Sequence, residues 1–143
     1  MNLYHERAVI ETLIATQLQA LHEKDVNAAV ENYHTDVVVF DVVGPLSQTG
    51  VSAIKTRLTE WLSGFEDVTV VSAKLVVEAG EHHAFSNGFN HVMAKMINGN
   101  TLDMFWRETL CWQKVLGEWK IMTAHSSVPF DVTTGMASTG LKP

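Results

Sequence analysis

Cysteine is almost absent from this chain. Cys111 stands alone among 143 residues, so neither an internal disulfide nor a cysteine-ligated zinc cluster can form. Charge is also sparse: 18% of residues are charged against 46% apolar, a composition suited to a folded domain with a full core. Basic residues are outnumbered by acidic ones, 10 to 16, for a net charge of −6. That balance disfavours binding to nucleic acid or to an anionic membrane. No stretch approaches the roughly 18 apolar residues of a membrane span. The first residues also lack a basic flank followed by an apolar run, so no signal peptide is expected. The default expectation is a soluble cytoplasmic protein with one domain over residues 1–143 and an irregular tail over about 132–143. Repeats and low-complexity stretches are missing as well.

What is present is a change of period along the chain. Val9, Ile10, Leu13, Ile14, Leu18 and Leu21 recur at helical spacing and predict a helix over residues 4–22. Asp25 can cap a short second helix carrying Val26, Ala29, Val30 and Tyr33. Residues 37–42 are β-branched and apolar, a short strand in which Asp41 falls at the end. Gly44-Pro45 and Gly50 mark a loop. Ile54, Leu58, Trp61, Leu62 and Phe65 then share one face of a third helix, over residues 51–65.

From there the period is two. Residues 67–79 alternate with Val71, Ala73, Leu75 and Val77 on one face. Residues 84–97 follow, with Phe85, Asn87, Phe89, His91 and Met93 together. Asn98-Gly99-Asn100 signals a hairpin, and two further strands run over residues 102–112 and 119–128. On the first of these, Asp103, Phe105, Arg107, Thr109 and Cys111 share a face. Met104, Trp106, Leu110 and Trp112 share the other, broken only by Glu108. Neither face is plainly a solvated one, so a sheet covered on both sides is expected, with a polar pocket on one. The class implied is α+β: three N-terminal helices packed on a curved, mostly antiparallel sheet that encloses a pocket.

This order resembles the cone-shaped superfamily of nuclear transport factor 2, ketosteroid isomerase and the SnoaL-like polyketide cyclases. The local marks are Lys24-Asp25, Tyr33-His34-Thr35-Asp36, Phe40-Asp41-Val42-Val43-Gly44-Pro45, and the closing run from Trp119-Lys120-Ile121 to His125-Ser126-Ser127-Val128-Pro129-Phe130-Asp131. That closing run is similar to an uncharacterised SnoaL-like branch. Sheet-to-sheet dimers are what the resemblance implies. In the isomerase comparison Asp41 stands at the catalytic base, the oxyanion-hole tyrosine falls on Gln17, and the protonated carboxylic acid falls near Thr109. Gln17 and Thr109 can donate hydrogen bonds but are weaker acids than the groups they replace.

The candidate residues follow from these two lines. Asp41 at the end of an apolar strand is a candidate general base, or else the cap of the Gly44-Pro45 turn. His125 is the second candidate for proton transfer, and His91 shares its expected concave face. Arg107 can clamp a carboxylate or enolate oxygen, or brace the sheet against Asp103 or Asp41. Gln17, Trp61, His91, Asp103, Phe105, Arg107 and Thr109 are the expected ligand contacts. No close histidine pair suggests a metal, and no cofactor is expected. The outer face, Met104, Trp106, Leu110 and Trp112 with Met122 nearby, is the expected homodimer surface. Two functions stay open. One is a cofactor-free isomerase, dehydratase or cyclase acting on a small apolar carbonyl compound or a carboxylate-bearing one. The other is a non-catalytic ligand-binding or dimerisation module.

Overall fold

The computed structural model describes residues 2–143. Helix α1 spans Leu3–His22, α2 Val26–Ala29 and α3 Val51–Ser63. Strands β1 (Tyr33–Phe40) and β2 (Gln48–Thr49) lie between the second and third helices. Strands β3 (Phe65–Ala79), β4 (His83–Met96), β5 (Thr101–Val115) and β6 (Glu118–Ser127) follow. Side chains at the two helix starts supply the missing acceptors: Asn2 Oδ1 accepts from the His5 N–H and Asp25 Oδ1 from the Ala28 N–H, each at 3.1 Å. Tyr33 is the first residue of β1 rather than part of α2, and the two-residue β2 is too short to show a period.

The six strands form one curved, open sheet in the order β2-β1-β6-β5-β4-β3. Only β1 and β6 pair in parallel, with Val39 opposite Ala124; the other ladders are antiparallel. The helices lie against one face. This is the expected α+β architecture.

The core sits between helices and sheet. Ile10 and Ile14 of α1 meet Val37, Leu110, Trp112, Trp119 and Ile121 in one cluster. Leu62, Phe65, Val68, Val70 and Val92 form a second. Trp112 is 1% exposed, and its Nε1–H donates to Ser86 Oγ at 3.1 Å. A buried indole therefore has its polar group satisfied.

The faces of the sheet are the reverse of the expectation. On β5 the even-numbered residues turn toward the helices: Leu110 and Trp112 are buried, while Met104 and Trp106 pack on the second cluster. Those four residues therefore cannot be an outer dimer surface. The physical reason is that the face with the largest apolar side chains removes the most area from water when the helices cover it. Met122 lies in a bulge of β6, between Ile121 opposite Trp112 and Thr123 opposite Cys111, and is only partly buried.

Strand β3 hides its own face change. Its register shifts between Ala73 and Val76, and Lys74 has φ 53°. Before the bulge Val68 and Val70 point inward; beyond it Val77 does, leaving Val71 and Leu75 exposed. Gly88 makes this possible, because a Cβ there would come within 3.1 Å of the Ala73 carbonyl oxygen and 3.2 Å of Leu75 Cα. After β6 a bridge between Phe130 and Ala137 closes a short loop, and no helix or strand follows it. Among the described residues no helix is long and apolar enough to cross a membrane.

Candidate functional site

A cavity of about 260 Å³ lies between the helices and the inner face of the sheet. Helix α3 walls one side with Ile54, Arg57, Leu58 and Trp61, the one-face spacing of an α-helix. Strand β5 contributes Met104, Trp106 and Glu108, every second residue of its inward face. Val39, Val92 and Ala124 complete an apolar lining, and the polar groups are few: Gln17, Tyr33, Asp41, Gln48, Arg57, Asn90, Glu108 and Ser126.

Glu108 is the one charge on the inner face of β5 between Leu102 and Trp112. Burial raises its pKa most, the nearby negative charge of Asp41 adds to the rise, and hydrogen bonds from Asn90 and Ser126 oppose it. Ser126 Oγ donates to Glu108 Oε2 at 3.4 Å. The carboxyl group thus keeps its proton to higher pH than an ordinary glutamate.

Tyr33 reaches the cavity from the start of β1. Its hydroxyl oxygen accepts from Gln17 Nε2 at 3.3 Å. Asn32 Nδ2 in turn donates to Gln17 Oε1 and to the Leu13 carbonyl, both at 3.0 Å. This chain fixes the orientation of Gln17 from behind. Burial pushes the Tyr33 hydroxyl above the ordinary phenol range, Glu108 and Asp41 push the same way, and the Gln17 bond opposes them. The phenol stays neutral, and none of the described residues accepts its own O–H.

Asp41 follows β1 directly and is exposed, so the cavity reaches solvent there. Its Oδ1 accepts the Val42 N–H at 2.7 Å. The turn-capping role and a place on the cavity wall therefore coexist, one oxygen serving the turn.

Of the residues expected at the site, Gln17, Asp41 and Trp61 line the cavity together. His91, Asp103, Phe105, Arg107, Thr109 and His125 lie on the opposite face of the sheet. Their grouping was correct: His91 faces Phe105, Thr109 faces His125 and Arg107 faces Phe89 across the ladders. The error was in which face the helices cover. On the outer face His91 Nε2 contacts Asp103 Oδ1 at 2.6 Å, and its ring stacks on Phe105 with centroids 4.0 Å apart. Arg107 Nε donates to Ser127 Oγ at 3.1 Å and pairs with neither Asp103 nor Asp41. His125 sets its ring edge-on to Phe40 at 5.5 Å.

Sequence reasoning missed Glu108, Tyr33, Asn90 and Arg57. Glu108 had a usable signal, being the one charge on an otherwise large and apolar strand face. Thr109 is the next residue after Glu108, and on a strand one residue changes the face. Gln17 lines the cavity and donates to the Tyr33 hydroxyl. Among the described residues no three His, Cys, Asp or Glu side chains converge as a metal site.

Helices on one face of an open, curved sheet with a cavity between them define a nuclear transport factor 2-like domain. The chain belongs to the SnoaL-like family, whose domain matches residues 10–131. A nuclear transport factor 2-like protein of unknown function from Pseudomonas putida KT2440 is 25% identical, with 98% of each chain covered and a TM-score of 0.89. A nuclear transport factor 2-like superfamily protein from Salmonella enterica serovar Typhimurium is 19% identical over 92% of this chain and 96% of its own, with a TM-score of 0.79. A protein provisionally named a scytalone dehydratase, from Novosphingobium aromaticivorans, is 14% identical over 98% and 96%, with a TM-score of 0.81. No curated protein matches the chain.

Proposed function

We propose that this domain takes a small, largely apolar carbonyl compound into the cavity and moves a proton on the carbon next to the carbonyl, without a cofactor. One observation carries this: two carboxyl groups, Asp41 and Glu108, and a neutral phenol, Tyr33, share a largely apolar cavity. Environments that push titratable groups toward different protonation states are how such sites divide acid and base roles. Asp41 is the base. Its carboxylate takes the α-proton while the electron pair moves onto the carbonyl oxygen. The enolate oxygen accepts hydrogen bonds from the Tyr33 O–H and the Glu108 carboxyl. Where a β,γ double bond is conjugated with the enolate, return of the proton from Asp41 to the γ-carbon completes an isomerisation; where a β-hydroxyl is present, its C–O bond breaks and it leaves with that proton as water, completing a dehydration. The fold shared with a provisionally named dehydratase is compatible with either.

The test is deuterium incorporation at the α-carbon of beta-tetralone in D₂O, read by mass spectrometry above the buffer background. Wild-type protein accelerates exchange and Asp41→Asn does not. Equal rates for the two would overturn the reading.

A second reading, a dimerisation module, draws on the outer face. Phe85 is 45% exposed and Met93 37%, and they share the outer face of β4 with Phe89 and His91, the latter opposite Phe105. An apolar surface of this extent suits a second copy of itself in a two-fold dimer. Sedimentation of Phe85→Asp tests it: a monomer is expected where the parent is a dimer, and a monomeric parent would dismiss it.

A further inference from the structure

We propose that the compound held in the cavity carries a carboxylate bound by Arg57 and a hydroxyl or N–H donor bound by Gln48. The inference rests on the reading that this cavity is the ligand site, and it names what the ligand must bring besides its carbonyl.

Arg57 lies on the inward stripe of α3, between Ile54 and Trp61, and lines the cavity half-buried. Among the described residues no carboxylate stands within ion-pairing distance of it, although Asp41 lines the same cavity. A half-buried guanidinium beside apolar side chains loses part of its hydration and is stabilised by an anionic partner. Its planar fork fits a carboxylate with two parallel bonds.

Gln48 gives the second observation. Its Oε1 is the one buried side-chain polar atom among the described residues with no hydrogen-bond partner. Such an atom costs free energy until a donor arrives. Gln48 opens β2 and Arg57 sits in the second turn of α3, so one continuous stretch of chain presents both to the cavity. A neutral ketone satisfies neither group. A simple anion satisfies Arg57 and leaves the amide oxygen without a donor. A carboxylate with a hydroxyl or amino group satisfies both. The Asp41 carboxylate repels an anion from its own wall. The carboxylate therefore docks toward α3, which leaves the carbonyl for Tyr33 and Glu108 and gives the ligand one orientation.

The experiment is calorimetric titration of the full chain with cinnamate, cinnamamide and para-coumarate. Wild-type protein is expected to bind cinnamate about tenfold or more tightly than the neutral cinnamamide, the increment of a charge-assisted pair. Arg57→Met removes that preference and Arg57→Lys keeps part of it. Because each protein is judged by the ratio of two ligands, altered folding does not mimic the result. Equal affinities in wild type, a preference unchanged in Arg57→Met, or no detectable binding of any of the three would overturn the proposal. Para-coumarate is expected to bind more tightly than cinnamate, an advantage that Gln48→Leu removes; no advantage in wild type would overturn the Gln48 half. Preference for the anion without tetralone exchange would leave this inference standing and sink proton transfer. Asp41-dependent exchange without anion preference would do the reverse.

Discussion

The two faces of the sheet differ in where their polar groups find partners. The outer face is rich in groups that suggest chemistry: two histidines, an aspartate, an arginine and a threonine. Those with hydrogen bonds are held by each other, as in His91–Asp103 and Arg107–Ser127, at the edge of bulk water. The inner face has few polar groups, set among Trp61, Met104 and Trp106, and their demands are only partly met. Tyr33 has a proton to give, Arg57 lacks an anion and Gln48 lacks a donor. A polar group in water is satisfied wherever it stands, whereas the same group in an apolar cavity is costly unless something completes it. Partial satisfaction inside the cavity therefore locates the site better than the number of reactive side chains does.

Function separates the faces most strongly. Asp41→Asn is expected to lower tetralone exchange by roughly 10²–10⁴-fold, the usual worth of a positioned base. His125→Ala and Arg107→Ala are expected to leave it unchanged; a large loss in either would move the site to the outer face. Stability separates adjacent residues next. Trp112→Ala should cost about 3–5 kcal/mol, while Cys111→Ser, exposed on the other face, should stay within about 0.5 kcal/mol. Denaturant titration compares the two directly. Tyr33→Phe removes one donor to the enolate and should slow exchange by about 10²–10³-fold with binding of the neutral ketone little changed.

The smallest effects concern two glutamates of opposite sign. Glu6 is held by Lys114 at 2.8 Å and by the Trp119 indole, which lower its pKa below the ordinary 4.5. Its contribution is complete above the ordinary value and is lost as pH falls through the lowered one. Glu108 has a raised pKa, so the folded state binds its proton more readily than the unfolded chain does. Stability then declines as pH rises from the ordinary value through the raised one. Melting temperature against pH should therefore lose its acid-side fall in Glu6→Gln. Glu108→Gln should lose the decline above the ordinary value, gaining stability near neutrality while exchange slows. Identical curves for both variants would contradict the assignment.

Much of the fold was legible because its signals are local. The apolar spacing of α1, the cap at Asp25, the hairpin at Asn98-Gly99-Asn100 and the alternation of β5 each act within a few residues. The bulge in β3 and the two-residue β2 were not legible, since one breaks a period and the other is too short to have one. The cavity was legible only as a parity. Alternation shows which residues share a face, but the choice of covered face is made by helices far away in sequence. Asp41 and Trp61 were found because the end of β1 and the inward stripe of α3 do not depend on that choice, and Gln17 because the family resemblance pointed to its position. Every expected site residue on β4, β5 and β6 did depend on it, and each fell on the outer side.

The most direct test of a site on the inner face is an amide and side-chain NMR titration with beta-tetralone. Shifts concentrated at Gln17, Tyr33, Trp61, Asn90 and Glu108, with His91, Arg107 and His125 unmoved, are the predicted result. Shifts confined to His91, Phe105, Arg107 and His125 would contradict it and place recognition on the outer face.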